Sequence, residues 1–212
     1  AFYNCQNFIG DLDIGASIKY IGEDAFKNCF GFDGSLVVGQ SLEVSNSAFE
    51  NTNFSNLKIK ESITEISDGE FDFFSQISGS LTLPSTLMKI NKKTFDNYSF
   101  TGSLLLPDYL ELIDKSGFYG CDGFEGDLII SGSGGDYPVG DYAFYNCTGF
   151  DGQLRISENV SIGKFAFENT NFSNVEISGS GLKIDDRVEI IEFGSFEKLS
   201  GSFSSIEFPD IV

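Results

Sequence analysis

Phenylalanine recurs along this chain with a spacing of 22 to 29 residues, and this spacing constrains the fold more than any other feature. Repeats of about 20 to 50 residues are typical of solenoids, because one unit cannot bury its apolar face alone and becomes stable by stacking on its neighbours. We therefore predict a stack of similar coils, with one recurring phenylalanine at the same place in each. These residues are Phe2, Phe26, Phe49, Phe71, Phe95, Phe118, Phe144, Phe167 and Phe196.

A second apolar pattern follows each of these phenylalanines and predicts a strand. Another aromatic residue comes a few positions later in most coils, as at Phe32 and Phe150, and an alternating apolar pair follows it. Alternation with period two is typical of a short strand that buries one face. The pairs are Leu12/Ile14, Leu36/Val38, Leu57/Ile59, Leu81/Leu83, Leu104/Leu106, Leu128/Ile130, Leu154/Ile156, Val175/Ile177 and Ile206/Phe208.

Together the two patterns predict a mainly β solenoid of about nine coils of 22 to 29 residues, with residues 1–212 forming a single domain. We expect one parallel sheet made from the alternating pairs, with short strands or turns on the opposite side. The chain begins inside a repeat, at Ala1 and Phe2, and stops soon after a predicted strand, at Pro209. We therefore expect it to be part of a longer protein.

The repeats resemble those of a known family. The segments FTGSLLLPDYLELIDKSGFYGC (100–121) and IGEDAFKNC (21–29) are similar to the BspA-like leucine-rich repeats, also called the Treponema pallidum-type repeats. The pattern recurs from end to end, with phenylalanine at the first leucine position. The departures are substitutions of the repeat cysteine, as at Thr52 and Tyr98, and two lengthened units, at 131–142 and 179–194. The resemblance implies a leucine-rich repeat solenoid.

The chain also contains an internal repeat that is longer than one coil. The segment AFENTNFSN occurs at 48–56 and again at 166–174, and AFKNCFGFDG at 25–34 corresponds to AFYNCTGFDG at 143–152. Both pairs are offset by 118 residues, which indicates that a block of five coils was duplicated. Identity this close within one chain favours a spacer or a display surface over a single evolved pocket.

Charge and hydropathy exclude two kinds of partner. The formal net charge is −19 at pH 7, which argues against nucleic acid, because that binding depends on Lys and Arg neutralising phosphates. Hydrophobic residues make up 41% of the chain, yet no apolar run approaches the length of about 18 residues that would span a bilayer. We therefore expect no direct membrane insertion of this segment.

Catalysis has little support in the sequence. The chain contains no histidine, which removes the usual Ser-His and Cys-His nucleophile systems, and no glycine-rich phosphate loop precedes a helix. Acidic neighbours such as Asp11/Asp13 and Asp185/Asp186 are expected by chance among 32 acidic residues. We predict that the protein is not an enzyme and has no cofactor.

Four cysteines, Cys5, Cys29, Cys121 and Cys147, occupy one place in the repeat and form two pairs in adjacent coils. Stacking would bring paired Cα atoms within disulfide reach, but cysteine also packs well as a small buried hydrophobe. Both states of Cys5/Cys29 and Cys121/Cys147 therefore remain open. Without histidine or a C-x-x-C motif, we expect no metal site.

The residue between each inward-facing pair should face outward and form one column across the coils. We name as a candidate binding patch Val37, Lys58, Thr82, Leu105, Ile129 and Arg155, which continue at the ends into Asp13, Glu176 and Glu207. Its centre, Thr82 to Ile129, is apolar or uncharged, and clustered exposed aliphatic residues are typical of a contact surface. Strand propensity alone would also place such residues there.

The resemblance also implies a functional class. BspA-like proteins are typically displayed at the cell surface or secreted, and they are implicated in adhesion to host matrix proteins, host cells or other microbes. We therefore expect a cell-surface or secreted protein-binding module whose partner is an extracellular protein, such as a host matrix or cell-surface protein. A structural spacer that projects another domain, and a carbohydrate-binding module, are the alternatives.

Overall fold

The computed structural model describes residues 1–39, 42–45, 47–68, 71, 77–131, 137–156, 160–177 and 183–184. Within these ranges the regular structure consists of short parallel strands in two rows. The first row contains β1 (Leu12–Asp13), β3 (Ser35–Val38), β5 (Asn56–Ile59), β7 (Ser80–Thr82), β10 (Leu128–Ile130), β12 (Gln153–Ile156) and β14 (Asn174–Ile177). The second row contains β2 (Tyr20–Ile21), β4 (Glu43–Val44), β6 (Glu65–Ile66), β8 (Lys89–Ile90), β9 (Leu112–Ile113), β11 (Tyr137–Val139), β13 (Val160–Ile162) and β15 (Lys183–Ile184).

The predicted β solenoid is confirmed, and the sheets differ from the expectation in two ways. The first row is not one sheet but two, with the strand orders β1-β3-β5-β7 and β10-β12-β14. The second row is more regular than expected, because it contains a sheet of six strands, β6-β8-β9-β11-β13-β15, beside the pair β2-β4. The predicted ninth coil, with Phe196 and the pair Ile206/Phe208, lies outside the described residues.

Aromatic rings stacked from coil to coil form the centre of the core. The rings of Phe118 and Phe144 lie 5.2 Å apart and almost parallel, at 9°, and those of Phe144 and Phe167 lie 5.5 Å apart at 5°. The second aromatic position forms its own stack, in which Phe150 and Phe172 are separated by 5.0 Å. The two stacks contact each other edge to face, an arrangement that aromatic quadrupoles favour. The spacing of phenylalanine in the sequence is therefore the spacing of coils in the core.

In each coil whose corner is described, the residue just before the cysteine position has the left-handed backbone conformation. Asn28 has φ of 61° and Asn146 has φ of 59°, and asparagine tolerates this region better than most residues do. The side-chain amide of Asn28 donates to Oδ1 of Asn4 at 2.8 Å, and that of Asn51 donates to Oδ1 of Asn28 at 2.8 Å. These asparagines therefore form a ladder that ties neighbouring corners together.

The first row is interrupted at 103–106, between β7 and β10. In the described part of the chain no backbone hydrogen bond joins 103–106 to either neighbouring coil. Proline explains part of this absence of hydrogen bonds. In a regular coil the residue after the strand donates to the preceding coil, as Lys60 N does to Val38 O at 2.9 Å. Pro84 and Pro107 take the place of Lys60 in their coils and have no N–H to donate.

A change of register accompanies the interruption. In regular coils the residue two positions before the first inward-facing strand residue donates its N–H to the C=O of the corresponding residue one coil earlier. Gly152, two positions before Leu154, thus donates from its N to Gly126 O at 3.1 Å. Around the interruption the donor lies one residue earlier, since Glu125 N donates to Gly102 O at 2.9 Å. The segment 103–106 therefore enters its coil out of step with β10 and leaves a gap in the sheet.

Candidate binding surfaces

The strand register places the predicted outward column where the sequence analysis expected it, with one exception. Residue pairing joins Asp13 to Val37, Val37 to Lys58 and Lys58 to Thr82 in the first sheet. In the second sheet Ile129 pairs with Arg155, and Arg155 pairs with Glu176. Leu105 lies in the unpaired segment between the sheets, and Glu207 lies outside the described residues. The binding role of this column remains a prediction.

Several polar groups of the column already have partners within the chain. Thr82 Oγ1 donates to Asn56 Oδ1 at 3.1 Å, and Arg155 Nε lies 3.5 Å from Glu176 Oε2. The centre is different, because Leu105 is 79% exposed and Ile129 is 49% exposed. Val37, by contrast, is half-buried. The exposed apolar surface of the column is thus concentrated at Leu105 and Ile129.

A groove lies beside these two residues. It has a volume of about 430 Å³ and runs between the interrupted segment and β10. Leu105 and Ile129 supply apolar walls, and Asp108 and Asp127 lie at its edge. Because the segment 103–106 makes no ladder hydrogen bonds, its backbone N–H and C=O groups are also open to a partner. The interruption therefore combines an apolar patch, a groove and unpaired backbone in one place.

The acidic pair considered for catalysis serves the structure instead. Asp11 Oδ1 accepts a hydrogen bond from Ser35 N at 2.6 Å, so it ties two coils together. Asp13 Oδ1 lies 2.6 Å from Lys60 Nζ, which also donates to Ile14 O at 2.7 Å. The equivalent of Asp11 in the second block, Asp127, accepts from Gln153 N at 2.7 Å in the same way. Asp185 and Asp186 lie outside the described residues.

All four cysteines are free thiols in this structure. Cys147 is fully buried, and its Sγ donates to Phe118 O at 3.0 Å, while Cys121 Sγ donates to Phe95 O at 2.9 Å. Burial raises the pKa of Cys121 and Cys147 well above the ordinary thiol value, so both remain protonated at neutral pH. Thr170 fills the same place one coil after Cys147 and donates to Phe167 O at 2.8 Å. The position thus selects a compact donor that reaches a corner carbonyl.

A second candidate surface, which the sequence analysis missed, lies on the corners of the second block. We call it the aromatic corner patch, and it consists of Tyr119, Tyr142, Tyr145 and Phe165, all half-buried. Tyr119 and Tyr145 stack with centroids 5.1 Å apart at 9°, and Tyr142 and Phe165 stack at 5.2 Å and 28°. Tyr142 and Tyr145 meet edge to face at 5.6 Å, so the two stacked pairs form one continuous cluster.

Two residues of the patch have the left-handed backbone that recurs at this corner position of the repeat. Tyr142 has φ of 58° and Phe165 has φ of 56°, a left-handed conformation that costs an L-residue other than glycine about 1–2 kcal/mol. Phe165 stood outside the phenylalanine period in the sequence, as did Phe30, Phe73, Phe74 and Phe193. A comparison of the two duplicated blocks at an offset of 118 residues is the sequence signal that would have revealed the patch.

The two rows of strands, the stacked aromatic core and the open outer surfaces define a β-solenoid repeat protein whose candidate sites lie on its surfaces. The chain belongs to the BspA-type leucine-rich repeat family: the profile described as BspA type Leucine rich repeat region matches residues 1–125 and 128–212. That profile matches in 6 copies, fewer than the nine coils that the sequence predicts. The family consists of non-enzymatic repeat proteins.

Two solved structures are similar to this chain. One is the leucine-rich repeat protein of T. pallidum, at 17% identity and a TM-score of 0.43, with 80% of this chain and 85% of that chain covered. The other is a leucine-rich repeat protein from Bacteroides ovatus, at 20% identity and a TM-score of 0.41, with 85% of this chain and 57% of that chain covered. No curated protein sequence matches the chain. Among the described residues, none forms a helix of the length and apolarity required to cross a bilayer.

Proposed function

We propose that this chain is a protein-binding segment of a cell-surface or secreted adhesin, and that it contacts an extracellular protein through the centre of the first row. The observation that carries the proposal is the exposure of Leu105 and Ile129 beside the groove, at the one first-row interruption among the described strands. Membership of a family typically displayed outside the cell supports the location. Host matrix proteins and host cell-surface proteins are the partner class that we propose.

The chemistry of the groove indicates how such a partner would bind. Burying the exposed parts of Leu105 and Ile129 would release water from apolar surface, at roughly 25 cal/mol for each Å² buried. An extended partner segment would also find hydrogen-bonding groups on the unpaired backbone of 103–106, as in strand addition at a sheet edge. Asp108 and Asp127 at the edge would favour a segment with basic residues beside its apolar ones.

The test replaces the apolar centre and leaves the fold intact. The double substitution Leu105→Ser and Ile129→Ser should reduce binding of the purified chain to its matrix protein or to host cells by about tenfold or more, because exposed anchors at the centre of an interface dominate affinity. Binding to immobilised fibronectin, fibrinogen and cultured cells is measured for both proteins. The matched control is Ile9→Ser, which removes another highly exposed aliphatic residue in the first coil, four coils before Leu105.

A structural spacer is the second candidate, and the duplicated block favours it. A spacer gains length by duplication and needs no particular surface, so it predicts that Leu105→Ser with Ile129→Ser leaves every activity unchanged. Equal binding by the double variant and the unaltered chain would contradict the adhesin proposal, as would no binding by either above a scrambled-surface control. A positive glycan array with no protein binding would instead favour the carbohydrate alternative.

A further inference from the structure

The two duplicated blocks provide an internal comparison for the aromatic corner patch. Around the corners, residues 21–34 and 139–152 are identical at 9 of 14 positions, and 48–56 is identical to 166–174. At the patch itself the blocks differ: Asp24, Lys27 and Ser47 in the first block correspond to Tyr142, Tyr145 and Phe165 in the second. One residue of this surface is kept, since Glu50 corresponds to Glu168. An ionic cluster has therefore become an aromatic cluster around an unchanged carboxylate.

In the first block the carboxylate has a cation from the same chain. Lys27 Nζ lies 2.9 Å from Glu50 Oε2 and 3.5 Å from Asp24 Oδ1. The hydrogen bond to Glu50 is the main cause that raises the pKa of Lys27, with Asp24 contributing as well. The ammonium group is thus held between two carboxylates, and Glu50 has a positive partner within the first block.

In the second block the residue that corresponds to Lys27 is Tyr145, which carries no positive charge. The described residues include no basic group in an ion pair with Glu168. Glu168 lies in the coil next to Tyr145, because Asn146 N donates to Glu168 O at 2.9 Å, just as Asn28 N donates to Glu50 O at 2.9 Å in the first block. Burial raises the pKa of Tyr145, and the charge of Glu168 contributes in the same direction. A carboxylate beside stacked tyrosine faces is a site that favours a positive charge.

Two further features indicate that the rings are placed to receive a cation. Lys115 Nζ already lies over the ring of Tyr142, 5.8 Å from its centroid, so the chain itself shows the attraction of this surface for a positive group. Tyr142 and Phe165 take a corner position that is left-handed in other coils as well, at Asp24, Lys93 and Ser116. The second block therefore places two aromatic rings side by side at a position that polar residues can also fill.

We propose that the aromatic corner patch and Glu168 bind an arginine side chain of a partner protein, in the place that Lys27 fills in the first block. Arginine fits better than lysine, because its planar guanidinium stacks on aromatic faces and pairs with a carboxylate at the same time. The net charge of −19 favours the approach of such a basic segment. This site is separate from Leu105 and Ile129 and does not rest on the function proposed for them.

The experiment titrates the isotopically labelled chain with the peptide acetyl-Gly-Arg-Gly-amide and follows backbone amide shifts by NMR. We expect saturable shifts centred on Tyr119, Tyr142, Tyr145 and Glu168. The neutral peptide in which citrulline replaces arginine keeps the shape and loses the charge, so its affinity should be lower by about tenfold or more. Shifts that are spread evenly over the acidic surface, or equal affinity for the citrulline peptide, would overturn the proposal.

The matched variant is Tyr145→Lys, which rebuilds the arrangement of the first block and fills the site with a cation from the chain. Its fold should be unchanged, because Lys27 occupies the same corner of a nearly identical coil. We expect Tyr145→Lys to lower arginine affinity by about tenfold or more, and Glu168→Gln to weaken it independently. Undiminished binding by both variants would show that the patch is not the site.

A gain of binding gives the reverse test. The triple substitution Asp24→Tyr, Lys27→Tyr and Ser47→Phe transfers the patch to the first block, where Glu50 supplies the carboxylate. We expect a second set of saturable shifts at these corners with the arginine peptide. A folded triple variant that shows no new shifts, while the second block still binds, would contradict the inference that these residues suffice.

Discussion

The residue just before the cysteine position has two physical tasks, and asparagine performs both. Its backbone adopts φ near 60°, and its side chain continues a ladder of amide hydrogen bonds between corners. Gly120 takes this position in one coil with φ of 70°, which keeps the backbone and gives up the ladder. There, a Cβ would clash with Asn97 Oδ1, so a side chain at this position would displace the amide of Asn97.

Substitution at Asn28 separates these two tasks. Asn28→Gly should lose only the ladder bonds to Asn4 and Asn51, at about 0.5–1.5 kcal/mol for each bond, offset by relief of the left-handed strain. Asn28→Ala loses the same bonds and keeps the strain, so it should be less stable than Asn28→Gly by about 1 kcal/mol. Urea unfolding followed by circular dichroism measures both. Equal stabilities of the two variants would show that backbone strain at this corner is negligible.

At the scale of the element, the aromatic stacks hold each coil to its neighbours. Phe124 is fully buried and stacks with Phe100 and Phe150, in each case with centroids 5.8 Å apart. It also meets Phe118 edge to face at 6.1 Å. One side chain therefore packs against both neighbouring coils and against its own corner, which makes it a sensitive place to test how the stack stabilises the fold.

Phe124→Ala should lower the free energy of unfolding by about 3–5 kcal/mol, because it removes buried apolar area and leaves a cavity between stacked coils. The matched control is Phe30→Ala, since Phe30 is 46% exposed and stands outside the repeat period. That control should change stability by no more than about 0.5 kcal/mol. Denaturant unfolding of both variants gives the comparison. A large loss for Phe30→Ala would mean that this ring contributes to the core.

The sequence predicted these elements well where burial determines them. The pair Leu36/Val38 is fully buried as expected, since alternation reports which face of a strand lies inward. The pair Leu104/Leu106 has the same alternation, but its segment forms no strand, because strand pairing also depends on backbone donors in the neighbouring coil. Alternation identifies the buried face of a single segment, whereas the gap comes from a change of register between neighbouring coils.

The candidate surfaces, like the strands, were predictable only in part. The outward column was predictable as far as the ladder is regular, from Asp13 to Thr82 and from Ile129 to Glu176. The groove and the aromatic corner patch were not predicted, because both depend on which side chains of different coils meet. Tyr142 and Phe165 are 23 residues apart in sequence and stack only because the coils place them side by side.

At the scale of the whole molecule, acidic charge and aromatic packing have opposite effects on the stability of the solenoid. The chain carries 32 acidic and 13 basic side chains, so its surface repels itself, and stacking the coils concentrates that charge. The described ion pairs, such as Lys60 with Asp13 and Lys27 with Glu50, connect separate coils and relieve the repulsion only locally. Stability of the solenoid should therefore depend on ionic strength.

We expect the free energy of unfolding to rise with added NaCl, because salt screens repulsion over a Debye length of about 10 Å at 0.1 M. Urea unfolding at low and at near-physiological NaCl measures the effect. The double variant Asp122→Asn and Glu125→Gln removes two exposed acids and should show a smaller dependence on salt. A loss of stability with NaCl would instead mean that the inter-coil ion pairs outweigh the repulsion.

The interruption at 103–106 has a mechanical consequence. On the second row, β8 and β9 continue a hydrogen-bonded ladder past this coil, whereas on the first row the coil is held by side-chain packing from residues such as Leu104 and Phe100. At this coil the second row is hydrogen-bonded and the segment 103–106 of the first row is not, so bending should separate the coils more easily on the first row. We therefore expect bending of the solenoid at this coil to change the width of the groove beside Leu105.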